Sequence, residues 1–214
     1  MIRKRSSRWR GLPERESSWF SSGKRTNTTS RRSVVTPGSF TECGRQGVPI
    51  LTSRLPLGVL GERLKLYEDG LVAGGHPVPM RERLRRDVAV WRHVYVAESH
   101  AEAEDQLADT LAHTRRHMLG ARAAHNPEDY RVDPAVVIAF NDPSVPEDEA
   151  VRQSLAGGAL YGTARQVAER VAELREAGVQ HILCQMSFGY LGHARIVDSM
   201  KRFGEQVMPA FRDT

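Results

Sequence analysis

The sequence is poor in cysteine, in aromatic residues and in long apolar runs. Only two cysteines, Cys43 and Cys184, occur in 214 residues. Far apart in sequence, they make neither a disulfide framework nor a paired-cysteine zinc motif. The expectation is a cytoplasmic protein with reduced thiols. No apolar run approaches the roughly 18 residues of a membrane-spanning helix. The opening residues, MIRKRSSRWRGLPERESS, lack the apolar core of a secretory signal. The Asn27-Thr28-Thr29 sequon carries no meaning without secretion. No Ser-His-Asp order, no paired carboxylate and no Gly-rich phosphate loop stands out.

Charge is unevenly spread. The chain carries 31 Lys+Arg against 26 Asp+Glu, a net +5. Residues 1–47 hold 11 of the basic and 3 of the acidic residues, so the remainder, with 20 and 23, is slightly acidic. The same segment carries 14 Ser+Thr and little periodic apolar pattern. Such a composition buries too little surface to offset its ordering entropy, so residues 1–47 are expected to form a disordered, basic, Arg/Ser-rich tail. A basic arm can hold nucleic acid through phosphates, and an Arg/Ser-rich leader can act as a transit peptide. Aromatic interleaving and an amphipathic helix are both missing, which disfavours the two readings. A third reading makes the tail foreign to the domain, as after an altered gene start.

From Val48 to Thr214 strands and helices alternate. VPILTS (48–53) suits a short buried strand. Leu60, Leu64, Tyr67 and Leu71 then form one face of an amphipathic helix, stopped by Gly74-Gly75 and Pro77. VAVWRHVYVA (88–97) is rich in β-branched and aromatic residues and reads as a buried strand. Ser99 with Glu102 is a capping-box pattern opening a helix striped by Ala103, Leu107, Leu111 and Met118. Residues 120–160 are dominated by Pro, Asp, Asn and Glu, and only VVIAF (136–140) suggests a strand. Thr163 with Gln166 forms a second capping-box pattern, Val167, Val171 and Leu174 a stripe, and Gly178 a stop. HILCQMSF (181–188) reads as a strand, GYLG (189–192) as a turn, and Ile196, Met200, Phe203 and Val207 as the stripe of a last helix ended by Pro209. This alternation predicts an α/β fold of parallel strands with right-handed crossovers.

The stretch 161–212 resembles the C-terminal end of bacterial luciferase-like, flavin-dependent monooxygenases. The matching features are Gly162-Thr163 and Val167 at a helix start, Leu174-Arg175-Glu176-Ala177-Gly178-Val179, the strand HILCQMSF, and Val207-Met208-Pro209. Upstream, VYVAESHAEAEDQL (94–107) and LPLGVLGERLKLYEDGLVAGGHP (55–77) are similar to preceding segments in the same order. Ala164-Arg165 departs from the family's Pro-Glu, and a cation in the first helical turn opposes the helix dipole by about 0.3–1 kcal/mol. The resemblance implies a partial (β/α)8 TIM barrel, its C-terminal half over 48–214 with no counterpart to the N-terminal half in residues 1–47. It implies an oxidoreductase that oxygenates a small organic molecule with O2 and reduced FMN, the flavin arriving reduced from a separate reductase. The alternative is a non-catalytic barrel remnant. Open strand edges in half a barrel predict a homo-oligomer.

Barrel chemistry sits at the C-terminal ends of strands. That singles out Thr52-Ser53, Glu98-Ser99 and residues 185–188. Gln185 and Ser187 alternate along the last strand and are the candidate flavin or substrate contacts; the competing reading makes them a polar core residue and a loop cap. Gly162-Thr163 at a helix N-terminus is a weaker candidate for phosphate, since capping explains the same residues. His113 and His117 lie one helical turn apart but lack a third metal ligand. His93 and His181 read as core or barrel-wall histidines, and Cys184 as an inert buried hydrophobe.

Overall fold

A computed structural model of the chain describes residues 30–53, 55–126, 139–187 and 189–212. Its strands are β1 (Arg32–Ser33), β2 (Ile50–Ser53), β3 (Ala89–Val96), β4 (Ala159–Gly162) and β5 (His181–Gln185). Its helices are α1 (Pro37–Gln46), α2 (Leu57–Ala73), α3 (Val78–Arg86), α4 (His100–His125), α5 (Glu147–Gly158), α6 (Ala164–Glu176) and α7 (His193–Arg202). Every strand pair is parallel. β3 is the hub. It pairs with β2 through Ala89–Trp91, with β4 through His93–Val96 and with β5 through Ala89–His93. β2 and β5 share the partners Ala89–Trp91, so they flank β3 on opposite edges. This is part of a (β/α)8 barrel.

Two cores hold the layers together. Val90, Val94 and Val96 of β3 pack with Leu60, Tyr67 and Leu71 of α2 and Val167 and Leu174 of α6. Tyr95 packs in the other direction, with Ala103, Leu107 and Leu111 of α4 and Leu155 of α5. The termini of α6 are built by local chemistry. Thr163 and Gln166 close a complete capping box. At the other end Gly178 N donates to Arg175 O at 2.9 Å and Val179 N to Leu174 O at 3.0 Å, with Gly178 at φ 90°. That is the αL stop expected from the glycine. At α4, Ser99 accepts from Glu102 N, but the Glu102 carboxylate reaches back to Glu98 N rather than to Ser99.

Folded structure begins well before Val48. Residues 32–46 form β1 and α1, and Phe40 is fully buried beside Cys43 and Val34. The boundary at 47 is corrected because composition averaged over the segment hides a local signal. Thr36 caps α1, Pro37 follows, and Gly47 at φ 66° ends it. The tail reading of residues 1–29 lies outside the described residues. So do residues 136–138 of the VVIAF run; Ala139 and Phe140 fall in a 3-10 turn, Ala139–Asn141, not in a strand. In α7 the inward residue is Ser199, which accepts from Val96 N at 2.8 Å, and Met200 of the expected stripe is exposed. A π-turn over Phe203–Val207 shifts the helical phase and brings Val207 into the core.

Candidate functional site

Parallel register fixes which side chains share a face of the sheet. Leu51, Ala89 and His181 stand at one level. Ser53, Trp91 and Leu183 stand at the next, then His93, Ala159 and Gln185, then Tyr95 and Tyr161. In a closed barrel such levels become the layers of the interior. The Trp91 and His93 rings lie 4.8 Å apart. His93 is buried, as expected for a barrel-wall histidine. The β5 side of the face is open: Leu183 is 43% exposed, and His181 is exposed too. His181 is thereby corrected, because β5 finds strand partners only in β3 among the described residues.

Gln185 is half-buried at the end of β5, and its amide Nε2 donates to the Ser187 carbonyl at 3.1 Å. Ser187 lies exposed just beyond the strand. The two candidates are thus brought together by a direct hydrogen bond. Cys184 is exposed rather than buried, for the same edge-strand reason as His181. Partial desolvation raises its thiol pKa, which keeps it a weak nucleophile.

Arg92 escapes the sequence reading. It is buried on the opposite face of β3, where it donates to Leu55 O at 2.8 Å and to Trp91 O at 3.3 Å. Burial first, and then the nearby Arg170, push its pKa down to about 10. An arginine inside a valine-rich strand gives no sign in sequence of which way it points. Here it ties the chain after β2 to the strand carrying Trp91.

Gly162-Thr163 is an occupied helix start. Thr163 N donates to Gln166 Oε1 at 3.0 Å, and Gln166 N donates to Thr163 Oγ1 at 3.4 Å. A Cβ on Gly162 would stand 3.1 Å from His100 Nδ1. The His100 ring stacks on Tyr161 at 5.0 Å. Capping therefore uses two of the N–H groups a phosphate needs. Thr52 is buried, Ser53 half-buried, and Glu98 pairs with Arg202 at 2.7 Å. His113 packs against Tyr190, while His117 is exposed. Beside them lies a cavity of about 490 Å3 between α4 and the start of α7, lined by Glu102, Asp105, Asp109 and Arg195.

A flavin fits this arrangement in part. Trp91 and Leu183 offer an apolar wall, and Gln185 places an amide at its rim.

Comparison with known proteins gives the family. The profile described as luciferase-like monooxygenase matches residues 34–181. No curated protein matches. Among solved structures, the chain is similar to the oxygenating constituent of 3,6-diketocamphane monooxygenase from the CAM plasmid of Pseudomonas putida, in complex with FMN. Identity is 18%, TM-score 0.54, and coverage 80% of this chain and 45% of that one. It is similar to coenzyme F420-dependent tetrahydromethanopterin reductase from Methanopyrus kandleri at 15% identity and TM-score 0.54, covering 84% and 50%. An F420-dependent secondary alcohol dehydrogenase in complex with an F420–acetone adduct matches at 15% identity and TM-score 0.53, covering 85% and 48%. The chain spans about half the length of these structures, and at such identities they speak for the fold alone. By the profile match over most of its length, the chain belongs to the luciferase-like monooxygenase family.

Proposed function

We propose that this chain contributes to a flavin-dependent oxidoreductase, a monooxygenase that takes FMN, O2 and a small organic substrate. The observation that carries the reading is the shared face of β2, β3 and β5, on which Ser53, Trp91 and Leu183 stand at one level and His93 and Gln185 at the next, Gln185 closing β5, in a member of this family. FMN, when bound and reduced, supplies the electrons that activate O2. The chain's own residues bind and orient. Trp91 and Leu183 would cover one face of the ring and keep water from it. The Gln185 amide would exchange its bond to Ser187 O for the ring edge, and the Ser187 hydroxyl would add a second polar contact. Arg92 would hold the Trp91 backbone in place. The reduced flavin would come from a separate reductase in the cytoplasm, and exposed β5 supports a homo-oligomer.

Titration with FMN, followed by quenching of flavin fluorescence, tests this. Saturable quenching, weakened about tenfold in Gln185→Ala by loss of a polar contact, is expected. Binding of F420 with no binding of FMN would replace the cofactor, in keeping with the F420 relatives. A second reading is favoured by the exposure of Leu183 and His181 on a face that a closed barrel buries: a non-catalytic barrel piece. A chain that quenches neither cofactor supports it.

A further inference from the structure

At the opposite rim from the candidate site, the strand starts and helix ends gather arginines that sequence scatters over more than fifty positions. α3 carries Arg81, Arg83, Arg85 and Arg86 in nine residues. Glu68 pairs with Arg81 at 3.7 Å and with Arg85 at 3.2 Å. Arg83 and Arg86 are exposed, one turn apart, with no carboxylate partner among the described residues. At the C-terminal end of α3, Arg31 Nε donates to the Asp87 carbonyl at 2.9 Å, and exposed Arg32 follows. At its other end, His76 Nε2 lies 3.0 Å from the carbonyl of Arg45, itself exposed in the last turn of α1. Glu82 and Asp87 offset part of this charge and leave it positive. The strip runs the length of α3, about 13 Å at roughly 1.5 Å per residue.

The helix dipole gives a use for a cation in the last turn of α3. It gives the same use for Arg45 in the last turn of α1, and none for Arg31 or Arg32. Arginine, unlike lysine, presents a planar fork matched to phosphate oxygens. The exposed apolar residues nearby are two valines, Val72 and Val78, without the aromatic side chains that anchor a protein in a bilayer interface.

We propose that this rim, formed by α3 with Arg31, Arg32 and Arg45, is a docking surface for the phosphodiester backbone of nucleic acid, independent of base sequence. It lies before the starts of β2 and β3, away from Gln185 and Ser187 at the end of β5. Composition alone disfavours such a partner; tertiary structure gathers the arginines on one folded surface.

The test is fluorescence anisotropy of labelled dT20 with the full chain, from about 50 to 200 mM NaCl, the range over which phosphate contacts weaken steeply. Expected is an affinity that falls linearly in a log–log plot against salt. R83E/R86E should bind about tenfold or more weakly, with a slope smaller by about 1.4, from roughly 0.7 per phosphate contact. R152E/R165E makes the same charge change elsewhere and should lose little. Circular dichroism should show all variants folded. Failure to bind dT20 at the lowest salt overturns the proposal. Equal binding by R83E/R86E overturns it by moving the contact to residues 1–30. An equal loss in R152E/R165E reduces the effect to net charge, and tighter binding to phosphatidylserine vesicles than to dT20 makes the rim a membrane surface; either result overturns it.

Discussion

Gly44 of α1 and Gly70 of α2 cross so closely that a Cβ on Gly44 would stand 2.9 Å from the Gly70 Cα, and one on Gly70 would stand 3.1 Å from the Gly44 Cα. The obstacle is backbone on both sides, so no side chain can turn away. Gly44→Ala is expected to cost about 3 kcal/mol, at the upper end of overpacking. Gly58→Ala, also in α2 but facing open space, should gain about 0.5–1 kcal/mol. Urea denaturation of the two variants checks the contrast. Equal midpoints would contradict the close crossing.

The capping box at α6 predicts a moderate cost. Thr163→Ala removes an acceptor from Gln166 N and should lower stability by about 1 kcal/mol. Thr163→Ser keeps the hydroxyl and should restore most of it. Thermal unfolding of both variants measures the difference.

The exposed side of β5 predicts association. Size-exclusion chromatography with light scattering should give a dimer or larger species, since a parallel edge unpaired among the described residues invites pairing. Leu183→Lys places a charge on the open face and should shift the population toward monomer. A wild-type chain that runs as a monomer at all concentrations refutes the edge argument.

Asp142 predicts an acid-side effect. Its carboxylate accepts from Ser144 N at 2.9 Å and from Ser144 Oγ at 2.6 Å. These bonds hold its pKa below the ordinary 3.8. The folded value lies under the unfolded one, so the stabilisation is present above the ordinary carboxylate range and is lost as pH falls through and below it. Relative to Asp142→Asn, the melting temperature of the wild type should fall more steeply there. Parallel curves would show that the turn contributes nothing.

Some of this molecule was readable without coordinates because the signals are local. Ser99, Thr163 and Gly178 act on backbone groups within a few residues, and the β-branched run of β3 has few alternatives. Other parts depend on distant partners. β4 is only four residues long and takes its identity from pairing with His93–Val96. α1 sits in a segment whose average composition is that of a tail, and only Phe40 and Cys43 meeting the core make it part of the fold. The candidate site divides in the same way. Gln185 and Ser187 could be chosen from strand alternation, but Arg92 could not, because a strand residue's face is set by its neighbours.

The order of residues by itself determined the strand–helix alternation, the helix caps and the family pattern, since these rest on bonds and contacts a few residues apart. Only tertiary structure decided where folding begins, why His181 and Cys184 face outward, and which arginines stand together, since each depends on which strand or helix ends up beside which.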